Sequence, residues 1–149
     1  MPRRVYHEIN LHIVWRTKDS APVIGDAVRR PLYGYVCNRA RETEGVLVHE
    51  IGGTADHVHL AVSVPPTLLI SDWIGDLKGA SAHYINHRVA RRRILFWQTG
   101  YGVVSFGKQD LRWVKTYIRD QERHHASGKT HDRLERIEPM EGEKPVETG

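Results

Sequence analysis

Apolar and polar residues alternate in several short stretches of this chain. Alternation with a period of two places successive side chains on opposite faces of a sheet, so each stretch predicts a strand. The predicted strands are residues 7–15, 46–51 and 57–64, followed by shorter ones at 96–98 and 102–106. Gly52-Gly53-Thr54 predicts a turn between the second and third strands, and so short a link implies an antiparallel hairpin.

Longer stretches repeat their apolar residues with helical spacing instead. Residues 26–44 and 70–88 each present an apolar stripe, which predicts two helices. Asp110 is suited to cap a last helix that runs to about Ala126. The segment 129–149 contains prolines and many charges, and it is predicted to be extended or disordered.

The order of these elements predicts an α+β fold. The succession β-α-β-β-α-β is the split βαβ arrangement of ferredoxin-like folds with an antiparallel sheet, and here an extra strand and helix accompany it. The third strand would lie in the centre of that sheet, rigidly held. We therefore expect one domain over residues 1–128 and a flexible charged C-terminal tail over residues 129–149.

Composition narrows the class of protein. The chain has 149 residues, of which 40% are hydrophobic, and this is enough for one domain with a core. The single cysteine, Cys37, excludes an intramolecular disulfide framework. No apolar run approaches the roughly 20 residues that span a bilayer, and the N-terminus lacks the apolar stretch of a signal peptide. We expect a cytoplasmic protein with no membrane partner.

Positive charge is concentrated in the predicted domain. The net charge is +4, but residues 129–149 hold four basic and six acidic side chains, which leaves about +6 on residues 1–128. A positive body favours a polyanionic partner through counterion release. The same charge is also found on ordinary soluble proteins, so charge alone does not decide the function.

The third predicted strand carries two histidines, His57 and His59. Because they are two positions apart, both point to the same face, and together they can share one divalent metal ion. Such pairs are also common as half-buried, hydrogen-bonded strand residues, and the pair alone does not separate the two interpretations. Four of the other histidines are interpreted as structural or solvated; they are His7 and His12, on or beside the first strand, and His124 and His125, at the end of the last helix.

The last predicted helix adds Tyr117 and Gln121, which are four residues apart and therefore lie on one face. Gln121 falls within the apolar stripe, where a glutamine without a partner costs about 1–3 kcal/mol. It is predicted either to bond backbone at the sheet or to offer its carbonyl oxygen as a third metal ligand. Tyr117 is either a packing residue at the helix edge or a nucleophile. Two imidazoles and an amide oxygen suit Mn²⁺ well and Mg²⁺ passably.

Several ordered motifs together resemble one known family. In chain order they are HIVWRTK at 12–18, DHVHL at 56–60, LKGAS at 77–81, WQTGYG at 97–102 and YIRDQ at 117–121. With these motifs the chain resembles the single-tyrosine HUH transposases of the smallest bacterial insertion sequences, over most of residues 6–126. A sister group, the REP-associated tyrosine transposases, acts on repeated extragenic palindromes with the same chemistry. The short acidic tail favours the mobile-element form.

The resemblance implies a function for each residue of the site. His57 and His59 would be the HUH ligands of Mg²⁺ or Mn²⁺, and Gln121 would complete the site. Tyr117 would attack a phosphodiester of single-stranded DNA and leave a 5′-phosphotyrosine and a free 3′-hydroxyl, which can later reseal to a different end. Members of the family recognise subterminal DNA hairpins. They act as homodimers with composite active sites, in which the tyrosine helix of one subunit serves the metal site of the other.

Two other functions fit part of the pattern. A non-catalytic module that binds single-stranded nucleic acid can have the same fold, but it leaves His57, His59 and Gln121 unexplained. A metal-dependent hydrolase would use water as the nucleophile and would not need Tyr117.

Basic residues outside the tail are the candidates for phosphate contacts. They are Arg16, Lys18, Lys78, Arg91, Arg92 and Arg93. On this prediction, deleting residues 130–149 leaves the affinity for DNA hairpins unchanged.

Overall fold

The structure, a computed structural model, describes residues 5–137. Its strands are β1 (Asn10–Arg16), β2 (Leu47–Thr54), β3 (His57–Ser63) and β4 (Gly102–Phe106). Its α-helices are α1 (Asp26–Glu42), α2 (Ile70–Tyr84), α3 (Leu111–Arg119), α4 (Gln121–Ser127) and α5 (Asp132–Glu135). A wider helical turn, Ile85–Val89, continues α2.

The four strands form one antiparallel sheet with the order β2-β3-β1-β4. This is the strand order of a split βαβ, and it confirms the predicted α+β, ferredoxin-like fold. β3 has a neighbour on each side, so His57 and His59 lie on a central strand as predicted. His59 is opposite Val14 on β1 and Gly52 on β2.

One face of the sheet is apolar and is covered by α1 and α2. Alternate residues of β1 and β3 point to this side, as the two-residue period predicts. The strand residues of this buried cluster are Leu11, Ile13, Trp15, Val58, Leu60 and Val62. Helix residues packed in the same cluster include Leu32, Val36, Trp73, Ile74 and Leu77. Burial of this surface is the principal source of stability for the fold.

The opposite face of the same strands is polar at its centre. Here the buried strand side chains include His12, His57 and His59. Helices α3, α4 and α5 pack on this side of the sheet. A small apolar cluster anchors α3 there; its buried members are Ala61, Val114 and Ile118.

Gly52 and Gly53 lie inside β2 and not in the predicted turn. β2 continues to Thr54, and the turn that leads to β3 is Ala55-Asp56. A Cβ atom on Gly52 would lie 2.3 Å from the carbonyl oxygen of Ile118. Glycine is therefore required here by a close approach of backbones, because it lets α3 pack directly on the sheet.

The predicted last helix is divided into two. α3 ends at Arg119, Asp120 leaves helical geometry with φ −97° and ψ 25°, and α4 begins at Gln121. The expected neighbourhood of Tyr117 and Gln121 persists across the break, because the Gln121 amide donates to the carbonyl oxygen of Tyr117 at 3.1 Å. The break therefore redirects the chain without separating the two predicted site residues.

The C-terminal segment differs from the predicted flexible tail. α5 contacts β1 and β4, and Leu134 within it is only 2% exposed. Gly102 permits this docking, because a Cβ atom on it would lie 2.0 Å from the carbonyl oxygen of Arg136. The prediction rested on charge and proline content. Neither property reveals that Leu134, within a charged segment, packs into a buried position. The rest of the predicted tail, residues 138–149, lies outside the described residues.

The predicted strand at 96–98 is reduced to a single bridge between Trp97 and Thr17. Lys78 holds the segment that follows, because its ammonium donates to the carbonyl oxygens of Gln98 and Gly100, both at 2.8 Å. Over residues 5–137, none of the helices is both long enough and apolar enough to cross a membrane.

Candidate active site

His57 and His59 present their imidazoles on the polar face of β3. Their ring centroids are 4.9 Å apart, and their side chains are 1% and 0% exposed. The Nε2 atoms face a common carboxylate oxygen, Oε1 of Glu135, at 3.5 Å from His57 and 3.2 Å from His59. The two rings thus converge on one point from the sheet side.

The orientation of His57 is fixed through its other nitrogen. Nδ1 lies 2.7 Å from Oδ1 of Asp56 and 2.8 Å from the hydroxyl oxygen of Thr54. Burial acts to raise the pKa of Asp56, but hydrogen bonds from His57 and Thr54 outweigh it and lower that pKa. An ionised Asp56 can accept an Nδ1–H, and in that tautomer of a neutral ring the Nε2 lone pair of His57 is directed into the site.

His12 does the same for His59, although the sequence pattern indicated only a structural or solvated residue. Nε2 of His12 and Nδ1 of His59 are 2.8 Å apart. Burial, together with the neighbouring His59, lowers the pKa of His12 to about 3, so the ring is neutral and can accept. If His59 donates from Nδ1 to His12, its own Nε2 carries a lone pair. The β1–β3 pairing that brings the two rings together is not visible in a local sequence window.

Gln121 and His125 approach the same point from the helix side. Oε1 of Gln121 lies 3.3 Å from Nε2 of His57 and 3.1 Å from Nε2 of His125. The Gln121 side chain is oriented by its own amide, which is occupied by the backbone of Tyr117. The Gln121 nitrogen therefore bonds backbone, as the first alternative predicts, and its oxygen faces the histidines; its function as a metal ligand stays a prediction. His125, interpreted from sequence as structural or solvated, belongs to this group.

Tyr117 lies beside the histidines of its own chain. Its ring centroid is 6.1 Å from that of His59, and the ring stacks on His124 at 4.7 Å. The hydroxyl donates to Oε2 of Glu135 and accepts from the backbone N–H of His131 at 2.8 Å. Burial and the Glu135 carboxylate raise the pKa of Tyr117 to about 12, so the phenol is protonated at neutral pH.

Glu135 is the residue of this site that sequence reasoning missed. Burial acts to raise its pKa, but the nearby His59 ring and the Tyr117 hydroxyl outweigh it and lower the pKa to about 2. Glu135 is therefore a carboxylate at neutral pH. No motif or spacing marked it, because it follows the tyrosine helix in a segment whose composition is that of a tail.

The donor atoms fit a metal ion. One ligand atom from each of His57, His59, His125 and Glu135 lies within 4.8 Å of the others. Nε2 of His59 and Oε1 of Glu135 are buried and have no hydrogen-bond partner within the described part of the chain. Buried polar atoms without partners are costly, and coordination of a cation at their meeting point would satisfy them. Their imidazole and carboxylate chemistry suits a divalent ion.

A cleft of about 350 Å³ opens beside Tyr117. Its lining combines aromatic and cationic side chains, among them Trp113, Arg123, His124 and Lys129. Trp113 is 50% exposed and stacks on Tyr117 with centroids 5.5 Å apart. A base-stacking surface beside positive charge is suited to an unpaired nucleotide strand.

The predicted phosphate-contacting cations lie in three different places. Arg16 and Lys18 are half-buried at the C-terminal end of β1, where Arg16 is opposite His57 on β3. Arg91, Arg92 and Arg93 are exposed after α2 and line a cavity of about 470 Å³. Lys78 is 2% exposed, with its ammonium bonded to two backbone carbonyls, so its position favours a structural role over a phosphate contact.

Two solved structures that share this fold are described as transposases. A crystal structure described as a transposase of Deinococcus radiodurans has a TM-score of 0.66 and 23% identity, over 81% of this chain and 96% of its own. A REP-associated tyrosine transposase bound to a REP hairpin has a TM-score of 0.60 and 14% identity, over 87% of this chain and 75% of its own. The fold is therefore one that tyrosine transposases use.

The sequence places the chain within that class. The family model described as "Transposase IS200 like" matches residues 5–121, and the chain belongs to this family. The transposase of insertion sequence IS200 from Salmonella typhimurium is 29% identical over 115 residues, which cover 74% of each chain. The ISDra2 transposase TnpA of Deinococcus radiodurans is 24% identical over 124 residues, covering 80% of this chain and 88% of its own. The protein is thus an enzyme, a transposase, as the resemblance of its motifs implied.

Proposed function

We propose that the protein cuts and rejoins single-stranded DNA through a covalent link to Tyr117. The observation that carries this proposal is the convergence of the Tyr117 hydroxyl with the imidazoles of His57 and His59 in one buried site. In the cleavage step the phenolic oxygen forms a bond to phosphorus, and the bond from phosphorus to the 3′ oxygen breaks. The phenol gives up its proton, and the departing 3′ oxygen takes one up. The products are a 5′-phosphotyrosine and a free 3′-hydroxyl, and the reverse attack by a 3′-hydroxyl rejoins DNA.

His57, His59 and Gln121 would hold Mg²⁺ or Mn²⁺. Such an ion supplies a Lewis acid that polarises the scissile phosphate. The protein supplies the positions: Asp56 and His12 fix the two imidazoles, and the Gln121 amide is fixed by backbone. Glu135 and the N–H of His131 hold the Tyr117 hydroxyl, so the nucleophile is oriented before DNA arrives.

The cleft beside Tyr117 is the proposed path of the DNA strand. Arg123 and Lys129 would neutralise phosphates there, and Trp113 would stack on an unpaired base. We propose that Arg16 and Lys18, with Arg91, Arg92 and Arg93, contact the phosphates of a subterminal hairpin. A hairpin partner is supported by the REP hairpin bound to a protein of the same fold. DNA as substrate implies action in the cytoplasm, on the nucleoid.

Catalysis within one chain and catalysis across a homodimer make different demands on the Tyr117 helix. The single chain brings Tyr117 to its own histidines, whereas composite sites would need the helix to reach a partner, with Gly107-Lys108-Gln109 as the hinge. Mixing Tyr117→Phe with a His57→Ala, His59→Ala double variant separates the two. Composite sites restore about a quarter of wild-type activity, because half of the dimers carry one competent site of two. No complementation, once subunit exchange is shown with a label, establishes sites within single chains.

The test of the function is adduct formation. The protein is incubated with single-stranded ends of its own genomic locus and Mn²⁺, and a DNA-linked product is sought by denaturing electrophoresis. We expect an adduct with wild type and none with Tyr117→Phe, which keeps hairpin affinity because binding rests on phosphate contacts. Cleavage without an adduct, retained in Tyr117→Phe, would identify a metal-dependent hydrolase; hairpin binding without any cleavage would identify a binding module.

A second candidate is a domesticated nuclease that processes extragenic palindromes with the same chemistry. The similarity in fold to the REP-associated tyrosine transposase supports this second candidate. Substrate choice separates the two functions. Cleavage at the ends of an element that carries this gene supports the mobile-element transposase, and cleavage confined to dispersed palindromes supports the domesticated nuclease.

A further inference from the structure

We propose that His125 and Glu135 are metal ligands, so that the centre is completed from the chain segment that follows the tyrosine helix. This inference deepens the proposed function, because it concerns the same site. It adds two protein donors to His57, His59 and Gln121, and it places one of them in α5.

The first observation is the arrangement around Oε1 of Glu135. Three imidazole Nε2 atoms surround it, those of His59 at 3.2 Å, His125 at 3.3 Å and His57 at 3.5 Å. Adjacent donor atoms around one ion, with bonds of about 2.1 Å and angles of about 90–110°, are separated by about 3.0–3.4 Å. The observed separations are those expected between ligands of a common ion.

The second observation is that this oxygen makes no hydrogen bond to any of residues 5–137. Glu135 Oε1 and His59 Nε2 are 3.2 Å apart, yet both atoms lack a hydrogen-bond partner among the described residues. If Asp56 takes the proton of His57 Nδ1, and His12 that of His59 Nδ1, then both Nε2 atoms bear lone pairs. Lone pairs that face a carboxylate oxygen repel it unless a cation lies between them.

The third observation is the docking of α5. Leu134 is buried, and Gly102 leaves room for the backbone at Arg136, so Glu135 between them is carried into the site by packing. Its second oxygen, Oε2, accepts the hydrogen bond of the Tyr117 hydroxyl. Glu135 would therefore join the ion and the nucleophile through one carboxylate.

The donor set has a consequence for the metal. Three imidazoles with one carboxylate and one amide oxygen suit Mn²⁺, Co²⁺ or Zn²⁺, whereas Mg²⁺ prefers a shell of oxygens. We expect the protein to bind Mn²⁺ more tightly than Mg²⁺ and to take up Co²⁺ with the intense visible absorption of low-coordinate sites.

The test measures metal binding to the full chain without DNA. Mn²⁺ affinity is determined by calorimetry and by the loss of the free-ion paramagnetic resonance signal, and Co²⁺ spectra are recorded in parallel. Glu135→Gln and His125→Ala should each weaken Mn²⁺ binding at least about 10-fold and change the Co²⁺ spectrum. Asp132→Asn, on the same turn as Glu135, and His83→Ala, on α2, are matched controls that should bind as wild type does.

Several outcomes would overturn the assignment. Affinity within twofold of wild type in Glu135→Gln removes Glu135 from the ligand set, and the same result in His125→Ala removes His125. Tighter Mn²⁺ binding in Glu135→Gln would show that the carboxylate competes with the ion for the histidine nitrogens. Melting curves in EDTA identify any variant that has lost its fold. Glutamine is chosen at position 135 because it keeps the shape of the side chain, whereas alanine could release α5. The metal-binding assay contains no DNA. If the wild-type protein formed no adduct in the separate DNA assay, the proposed function would be rejected, but the metal-binding result would still hold.

Discussion

The two faces of the sheet are made by the same strands and have opposite chemistry. On β3, Val58 and Leu60 enter the apolar cluster beneath α1 and α2, whereas His57 and His59 face α3, α4 and α5. Burial of the first pair contributes to stability directly. Burial of the second pair costs free energy unless each ring nitrogen finds a partner.

The difference shows that a single sheet can stabilise the fold with one face and carry the reactive groups on the other. The apolar face holds the strands in register, and that register positions the imidazoles on the other side. The polar face buries groups that do not stabilise the fold but can react or bind a ligand, such as Nε2 of His59 and Oε1 of Glu135. Substitutions on the two faces should therefore change different measurable quantities.

The largest expected effect is loss of activity from the polar face. His57→Ala and His59→Ala should each lower the rate of adduct formation at limiting Mn²⁺ by at least about 100-fold, since a lost ligand exceeds the 10–100-fold cost of losing a supporting residue. EDTA should stop wild-type cleavage but not hairpin binding. His83→Ala, a histidine on the helix layer of the other face, is the control. Full cleavage in EDTA would contradict the metal-dependent site.

A large loss of stability is expected from the apolar face. Leu60→Ala should lower the free energy of unfolding by about 2–5 kcal/mol, through lost burial and a residual cavity. The rate of adduct formation per folded molecule should stay close to that of wild type, because Leu60 points away from the histidines. Chemical denaturation measures the first quantity and the adduct assay the second. Leu47→Ala, 60% exposed on β2, is the matched control and should lose less than about 1 kcal/mol.

A smaller loss of stability is expected at acidic pH, and it comes from a buried residue of the polar face. His12 has its pKa lowered to about 3, so the unfolded chain, with the ordinary value of 6.5, binds its proton first as pH falls. Its contribution to stability is complete above pH 6.5 and is lost progressively towards pH 3. From pH 7 to pH 5 the loss should be about 1–2 kcal/mol in EDTA. The measurement is denaturant unfolding across this range, and His12→Gln should flatten the profile; an equally steep profile in that variant would assign the acid sensitivity to other groups.

The smallest effect is expected outside both faces. Removing residues 138–149 takes away four glutamates and one lysine, and the positive body remains. Hairpin affinity should stay within about twofold of wild type at physiological salt, with the same salt slope. Removing residues 130–149 instead also takes away Glu135 and should weaken Mn²⁺ binding, so the two truncations separate charge from coordination. A large loss of affinity in the shorter deletion would show that the last residues contact DNA.

The sequence by itself determined the fold class and half of the site. Alternation in residues 57–64 identified the strand of His57 and His59 and placed both rings on one face. The spacing of Tyr117 and Gln121 predicted that they are neighbours, which holds although the helix is broken between them at Asp120. The motifs indicated the family to which the chain belongs. These inferences succeed because they depend on local periodicity, which neighbouring residues impose whatever the rest of the chain does.

Only the tertiary structure decided the other half. His12 reaches His59 through the pairing of β1 with β3, and Glu135 reaches the same point because Leu134 is buried and Gly102 lacks a side chain. His125, on α4 after the break at Asp120, lies 3.3 Å from the same carboxylate, at Oε1 of Glu135. Each of these contacts joins elements whose separation in sequence carries no periodic signal. Their energies come from packing and desolvation, which exist only once the chain has folded.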